Sequence, residues 1–282
     1  MDEIPIYKGK SKNILVISGG GIKGFCILGI IKKLMELEIL INPDVYCGTS
    51  VGACISVLLL IGYLPDDIYE VLKDIDFSML IDYNEEMLDE SYIGLLKSDP
   101  IMSIISTMLK KKGIDSKITF KELYNKLKKK LIITGVCLND LSINYFSHET
   151  FPDMNVLKAV RISMSIPFIF KPVKFNGKLW VDGGCLNNYP IDVFDNVLED
   201  VIGIYAEDNF SNLDDFEDKI TYGLQVFKCI LKGLNIYKKK IYEKYTIIVK
   251  PNCEGQLFNI EEENKKIMFD CGYCCDCHKF IN

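Results

Sequence analysis

Hydrophobic positions along this chain change period in a regular order. Residues 13–18 read Asn-Ile-Leu-Val-Ile-Ser, a continuous apolar run that suits a strand covered on both faces. Glycines at 19–21 end it, and residues 22–40 then carry apolar side chains at helical spacing: Ile22, Phe25, Leu28, Ile31, Leu34 and Met35. A short strand at 45–47 follows an Asn-Pro-Asp turn, and a tight turn leads into an apolar helix over 51–64. Strand, helix, strand, helix with short links is the pattern of a parallel sheet with helices packed on it.

Further along, residues 65–130 show amphipathic stretches but no strand-like alternation, and read as a mostly helical insertion. Strands are expected at 131–138 and 143–147, a helix at 154–164, and a hairpin over 174–181 around Asn176-Gly177. Strands at 201–206 and 246–249 flank a helix near 220–237, and a last helix covers about 261–279. No Gly/Ser-rich or Pro-rich linker and no repeat divides the 282 residues, so a single domain over 1–282 is expected, with the core motifs in 14–190 and a strand and helix in 200–282.

Composition narrows this picture. With 49% hydrophobic and 26% charged residues the chain is globular. A net charge of -6 disfavours nucleic acid as a partner. The charge is uneven: nine lysines against two acids in 110–130, and eight acids without a base in 199–218. Such runs are usually solvated faces, although a lysine-rich patch beside an apolar helix also suits an anionic lipid surface. No basic region followed by an apolar stretch opens the sequence, and the longest apolar run falls short of a membrane span. The expectation is a cytoplasmic protein, soluble or peripheral to a membrane and not secreted, with its eleven cysteines as free thiols.

Candidate chemistry begins at Gly48-Thr49-Ser50-Val51-Gly52, a G-x-S-x-G sequence between a strand and an apolar helix. That context is what a nucleophile elbow requires: a sharp turn that raises the serine hydroxyl, with small residues at Gly48 and Gly52 to make room. The plainer alternative is a helix-capping serine between glycines. Gly19-Gly20-Gly21-Ile22-Lys23-Gly24 has dinucleotide-fingerprint spacing, but the second strand leads into the serine turn instead of a ribose-binding acid. Bare amides of Gly19, Gly20 and Gly21 fit an oxyanion hole better. Lys23 reads as a solvated first-turn lysine.

A serine nucleophile needs a base. His278 lies in a Cys-rich stretch near the end of the sequence and His148 in a Ser-His-Glu-Thr turn that reads as exposed, which disfavours a His-dependent triad. A carboxylate is the remaining candidate. Asp182, in Trp180-Val181-Asp182-Gly183-Gly184, ends a strand and precedes two glycines; a simple Asp-Gly turn is the alternative.

These motifs in this order, with Ser163-Met164-Ser165-Ile166-Pro167 through Val173 between the second and third, resemble the patatin-like phospholipase family from Ile14 to about Pro190. The resemblance implies a three-layer α/β/α fold with a mainly parallel central sheet, the helical insertion around 65–130, and a Ser50–Asp182 dyad without histidine or cofactor. It also implies a phospholipid or acylglycerol substrate met at a membrane surface. Gly24, Gly183 and Gly184 support the motifs. Family members often have Asp where Ser18 stands and Arg where Lys23 stands. Acyl transfer by the same dyad, or non-catalytic lipid binding, remains an alternative function.

Two features lie outside this scheme. The Cys271-x-x-Cys274-Cys275-x-Cys277-His278 cluster has ligand-like spacing, but only one such knuckle is present, and 271, 274, 275 and 278 would share a helical face as core residues. No metal is expected. The amphipathic stretch 102–112 reads either as an ordinary surface helix or as a cap that touches lipid.

Overall fold

The computed structural model describes residues 12–75, 99–207, 219–251 and 261–280. Its centre is a set of parallel strands. β1 (Ile14–Ile17) pairs on one side with β2 (Val45–Gly48) and on the other with β7 (Val201–Ala206), and β8 (Thr246–Val249) extends the sheet past β7. On the opposite side β3 (Lys130–Cys137) pairs in parallel with β2 through its first half. Its second half pairs antiparallel with β4 (Ser142–Phe146) and β6 (Lys178–Asp182). β5 (Val173–Phe175) closes a hairpin with β6, and Asn176 and Gly177 turn it at φ 49° and 74°. That pair of positive φ values is what the Asn-Gly signal anticipates.

A strand buried on both faces needs apolar side chains at every position. β1 satisfies this: Leu15 and Ile17 join one core cluster, while Ile14 and Val16 join a second. The first cluster is built with α1 (Gly24–Glu36), α2 (Val51–Leu60) and α9 (Glu262–Tyr273). The second contains Ile191 and Phe194 of the 3-10 segment Pro190–Asp200 and Tyr242, which follows α8 (Lys219–Ile241). The fold is therefore a three-layer α/β/α arrangement around a mainly parallel sheet. Where α1 crosses α9 the backbones touch: a Cβ on Gly29 would lie 1.9 Å from the Phe269 carbonyl oxygen, and one on Gly272 1.9 Å from that of Cys26.

The 65–130 region contributes α3 (Pro65–Lys73), α4 (Asp99–Lys111) and α5 (Phe120–Leu127); positions 76–98 lie outside the described residues. Of the two readings of 102–112, the structure favours the surface helix. Ile105, Met108 and Leu109 of α4 are buried in the core, and α4 packs on α2 and on α6 (Val156–Ser163). Lysines around it cap carbonyls: Lys112 donates to Gly62 and Lys126 to Gly113, each at 2.8 Å.

Several helices are shorter than their periodicity predicts. A 3-10 turn at Gly21–Lys23 precedes α1, whose end at Glu36 is followed by Glu38 at φ 59°. α2 ends at Leu60 ahead of Gly62 at φ 88°. α9 ends at Tyr273, which corrects the expected helical face of cysteines: Cys274 is exposed, Cys271 and Cys275 half-buried, and Cys277 buried beyond the helix. The apolar period could not reveal the stops of α1 and α2, because left-handed residues just beyond their ends decide them. Among the described residues no helix is long and apolar enough to cross a membrane.

Candidate active site

Parallel pairing of Ile17 with Gly48 sets the loops after β1 and β2 side by side at the carboxyl edge of the sheet. Ligands of open α/β sheets bind at this edge. The turn after β2 is tight. A Cβ on Gly48 would lie 2.3 Å from the Gly52 carbonyl oxygen, and one on Gly52 would lie 2.6 Å from those of Ile17 and Ser18. Ser50, at the corner, has φ 55° and ψ −122°, a region L-residues rarely enter. Such strain persists only where its surroundings enforce it. Here the backbone N–H of Ser50 donates to Ser163 Oγ at 2.9 Å, and α2 starts at the next residue.

Asp182 reaches the same height by register. Gly48 pairs with Ile133 in β3, and Gly135, two positions on, pairs with Asp182 across the antiparallel edge. The carboxylate thus comes level with Ser50. Its backbone amide donates to the Ser165 carbonyl at 3.0 Å, so Ser163 and Ser165 hold one member of the pair each. Gly183 is required by crowding, since a Cβ there would sit 2.0 Å from Thr134 Oγ1. Thr134 in turn donates to Thr49 Oγ1 at 2.7 Å, which links β3 to the serine turn.

The electrostatics of Asp182 suit a base. The side chain is buried, with Oδ1 accepting the Gly184 amide at 2.7 Å and Oδ2 left without a formed hydrogen bond. Burial pushes its carboxyl up to about 7, while the Gly184 amide and the Ser50 hydroxyl pull the other way. Ser50 is thus near enough to act on the Asp182 carboxyl, although Oδ2 forms no hydrogen bond.

The glycine loop departs from expectation at one position. Gly19 N–H donates to the Asn188 carbonyl at 3.0 Å, and Asn188 Nδ2 donates to the Gly19 carbonyl at 3.3 Å. Gly19 therefore spends its donor on the scaffold and is not free for the oxyanion role expected of it. Its own need for glycine is steric: a Cβ would meet Asn188 Oδ1 at 2.2 Å and Ser50 Cβ at 3.2 Å. Gly21, at φ 53°, turns the chain into the 3-10 segment that Lys23 closes, and Gly24 starts α1 against Val51. Ser18 is buried; it donates to the Gly19 carbonyl and accepts the Ala206 amide, both at 2.9 Å, tying the loop to β7.

His148 is not brought to this edge. β4 runs antiparallel to β3 and pairs Phe146 with Ile133, so His148 lies towards the opposite end of the sheet. Expected in an exposed turn, its ring instead stacks on Tyr124 at 3.7 Å. The side chain of His278 lies outside the described residues. Among the described residues no group of three or more His, Cys, Asp or Glu side chains is arranged to hold a metal ion.

Asn188 was not singled out by the sequence, in which Ser163 stood out only as the start of the Ser163–Val173 motif, with no role for its hydroxyl. Asn188 follows the Asp-Gly-Gly turn in an Asn-Asn pair, the one local sign of a second clamp there. Asn187, its neighbour, is buried and donates to Tyr145 Oη at 2.9 Å and to Asp192 Oδ1 at 3.1 Å.

Residues 15–195 match the family model for patatin-like phospholipase. The chain is 33% identical to the uncharacterised protein R571 of Acanthamoeba polyphaga mimivirus, over 95% of this chain and 93% of that protein. It is 37% identical to the probable lipid hydrolase 463L of Invertebrate iridescent virus 6, over 66% of this chain and 64% of that relative's length. Among solved structures, VipD from Legionella pneumophila superposes with a TM-score of 0.68 at 17% identity, covering 96% of this chain and 67% of VipD. That likeness bears on fold alone.

Proposed function

The chain belongs to the patatin-like phospholipase family, and from that premise we propose that it is a lipid acyl hydrolase with a Ser50–Asp182 dyad. The observation that carries the proposal is the pairing of a serine at φ 55° with a buried aspartate whose Oδ2 has no formed hydrogen bond. A carboxylate with an uncommitted oxygen and a pKa near the working pH is fit to take a proton from a hydroxyl.

In this reading Ser50 Oγ attacks the carbonyl carbon of a fatty-acyl ester as Asp182 Oδ2 accepts its proton. The amides of Gly20 and Gly21 stabilise the tetrahedral oxyanion, each at about 3 kcal/mol. The proton passes to the leaving alkoxide as the ester C–O bond breaks, leaving an acyl-Ser50 ester. Asp182 then deprotonates water, which attacks that ester, and fatty acid and serine are released. The substrate is a phospholipid or acylglycerol presented at a membrane surface; the family and the relative named a probable lipid hydrolase support that class.

Labelling by a fluorophosphonate and fatty-acid release from mixed phospholipid vesicles test the proposal together. Wild type should do both, and Ser50→Ala and Asp182→Ala should do neither. Full activity in either variant would remove the dyad.

A further inference from the structure

Just past Asp182 lies α7 (Gly184–Asn187), a helix of four residues. One turn of helix has little stability of its own, so contacts with other elements must hold it. Its first residue supplies the amide that Asp182 Oδ1 accepts. Its last, the buried Asn187, meets partners from four other parts of the chain. Its carbonyl accepts Thr49 Oγ1, beside Ser50, at 3.3 Å, and its Nδ2 donates to Tyr145 and Asp192. Its Oδ1 accepts Lys238 Nζ of α8 at 2.8 Å. Charge fixes which way this amide faces, because a carboxylate can only accept and an ammonium can only donate.

Lys238 is fully engaged. Its three N–H donors meet Asn187 Oδ1, Asp192 Oδ1 at 2.6 Å and the Tyr189 carbonyl at 3.3 Å. All three acceptors belong to the stretch that leaves α7, so one ammonium draws that stretch into a single unit. The site hangs on the same unit: Gly184 bears on the base, Thr49 on the serine turn, and Asn188 on the glycine loop. The Lys238–Asp192 ion pair is partly exposed and so adds little to stability. What it does is orient. The groups that act on the Asp182 carboxyl are the Gly184 amide and the Ser50 hydroxyl, both uncharged. Lys238 therefore reaches Asp182 through position and not through its charge.

We infer that Lys238 is a positioning residue that, through Asn187, locks α7 and with it the Gly184 amide and the serine turn in register around the site. The inference rests on the Ser50–Asp182 reading. Hydrolysis of a short-chain soluble ester is followed across pH in wild type, Lys238→Met, Asn187→Ala, the double variant and Lys239→Met. Lys239 is the control, since it is next along α8 but pairs with Glu207. Lys238→Met should lower kcat about tenfold with KM nearly unchanged. It should also move the acid limb of kcat/KM up by about one pH unit, because a Gly184 amide that drifts from Oδ1 no longer favours the ionised carboxylate. Asn187→Ala keeps the ion pair yet should do the same, and the double variant should be no worse than either single one. Lys239→Met should change neither quantity. Melting curves identify the folded variants; if Lys238→Met does not melt cooperatively, Asn187→Ala against Lys239→Met decides. An acid limb that stays in place in the folded variants, or losses that add in the double variant, overturns the inference and leaves Lys238 as an anchor of α8. A wild type that hydrolyses no ester, or shows no acid limb, overturns the dyad and the inference with it.

Discussion

Ser163 Oγ accepts the backbone N–H of Ser50 at 2.9 Å, across 113 positions of sequence. The donor belongs to the residue that φ 55° forces into an unfavourable turn, and both side chains are buried. A serine at the end of α6 thus fixes the backbone that aims the proposed nucleophile. Two residues on, the Ser165 carbonyl receives the amide of Asp182.

Removal of that acceptor should therefore reach catalysis through geometry. Ser163→Ala leaves a buried amide unpaired, at a cost of about 1–3 kcal/mol in stability. Displacement of Ser50 should lower kcat on a soluble ester by about tenfold to a hundredfold with KM nearly unchanged. Steady-state kinetics beside a melting curve checks this; unchanged kcat would reduce Ser163 to a packing residue.

The strain at Ser50 has its own readout. Ser50→Ala and Ser50→Gly both delete the nucleophile, but only glycine enters φ 55°, ψ −122° freely. Both should be inactive, with Ser50→Gly the more stable by about 1 kcal/mol. Denaturant unfolding of the pair decides it, and equal midpoints would mean that the turn is not strained.

Asn188 holds the glycine loop from the other side. Asn188→Ala removes the Nδ2 donor to the Gly19 carbonyl but keeps the backbone carbonyl that receives Gly19 N–H. A loosened loop should misplace the amides of Gly20 and Gly21. kcat should fall by about tenfold while the melting temperature stays close to wild type. A loss confined to KM would argue that the loop binds substrate and leaves the oxyanion alone.

How much of this was legible in sequence follows from how local each cause is. Strands 14–17, 201–206 and 246–249 could be read because burial on both faces demands unbroken apolar runs, and the Asn176-Gly177 hairpin because its turn demands positive φ. The Ser50 turn and Asp182 announced themselves through the glycines that crowding imposes. Gly19 looked like an oxyanion donor because nothing nearby in sequence says that its amide meets Asn188, 169 positions away. The helix near 220–237 was visible, but which of its faces turns inwards was not. Only the folded chain shows that Asn235 and Lys238 face inwards and Tyr237 outwards.

Asp182 ties activity and stability to pH in opposite senses. As the proposed base it must be ionised, so kcat/KM on a soluble ester should fall as pH drops through about 7. In the unfolded chain the same carboxyl titrates near 3.9. Between that value and about 7 the folded protein holds a proton that the unfolded chain has released. Stability contributed by this group is therefore full below the unfolded value, declines as pH rises through the window, and levels off above it. Burial of an ionised carboxylate is the physical cause. Asp182→Asn keeps an oxygen to accept the Gly184 amide but carries no charge, so it should abolish turnover and flatten that decline. At pH 8 it should be more stable than wild type, by an amount of order a few kcal/mol. Denaturant unfolding of both proteins across this pH range is the measurement. If wild type and Asp182→Asn change with pH in parallel, the raised pKa is wrong, and with it the case for Asp182 as the base.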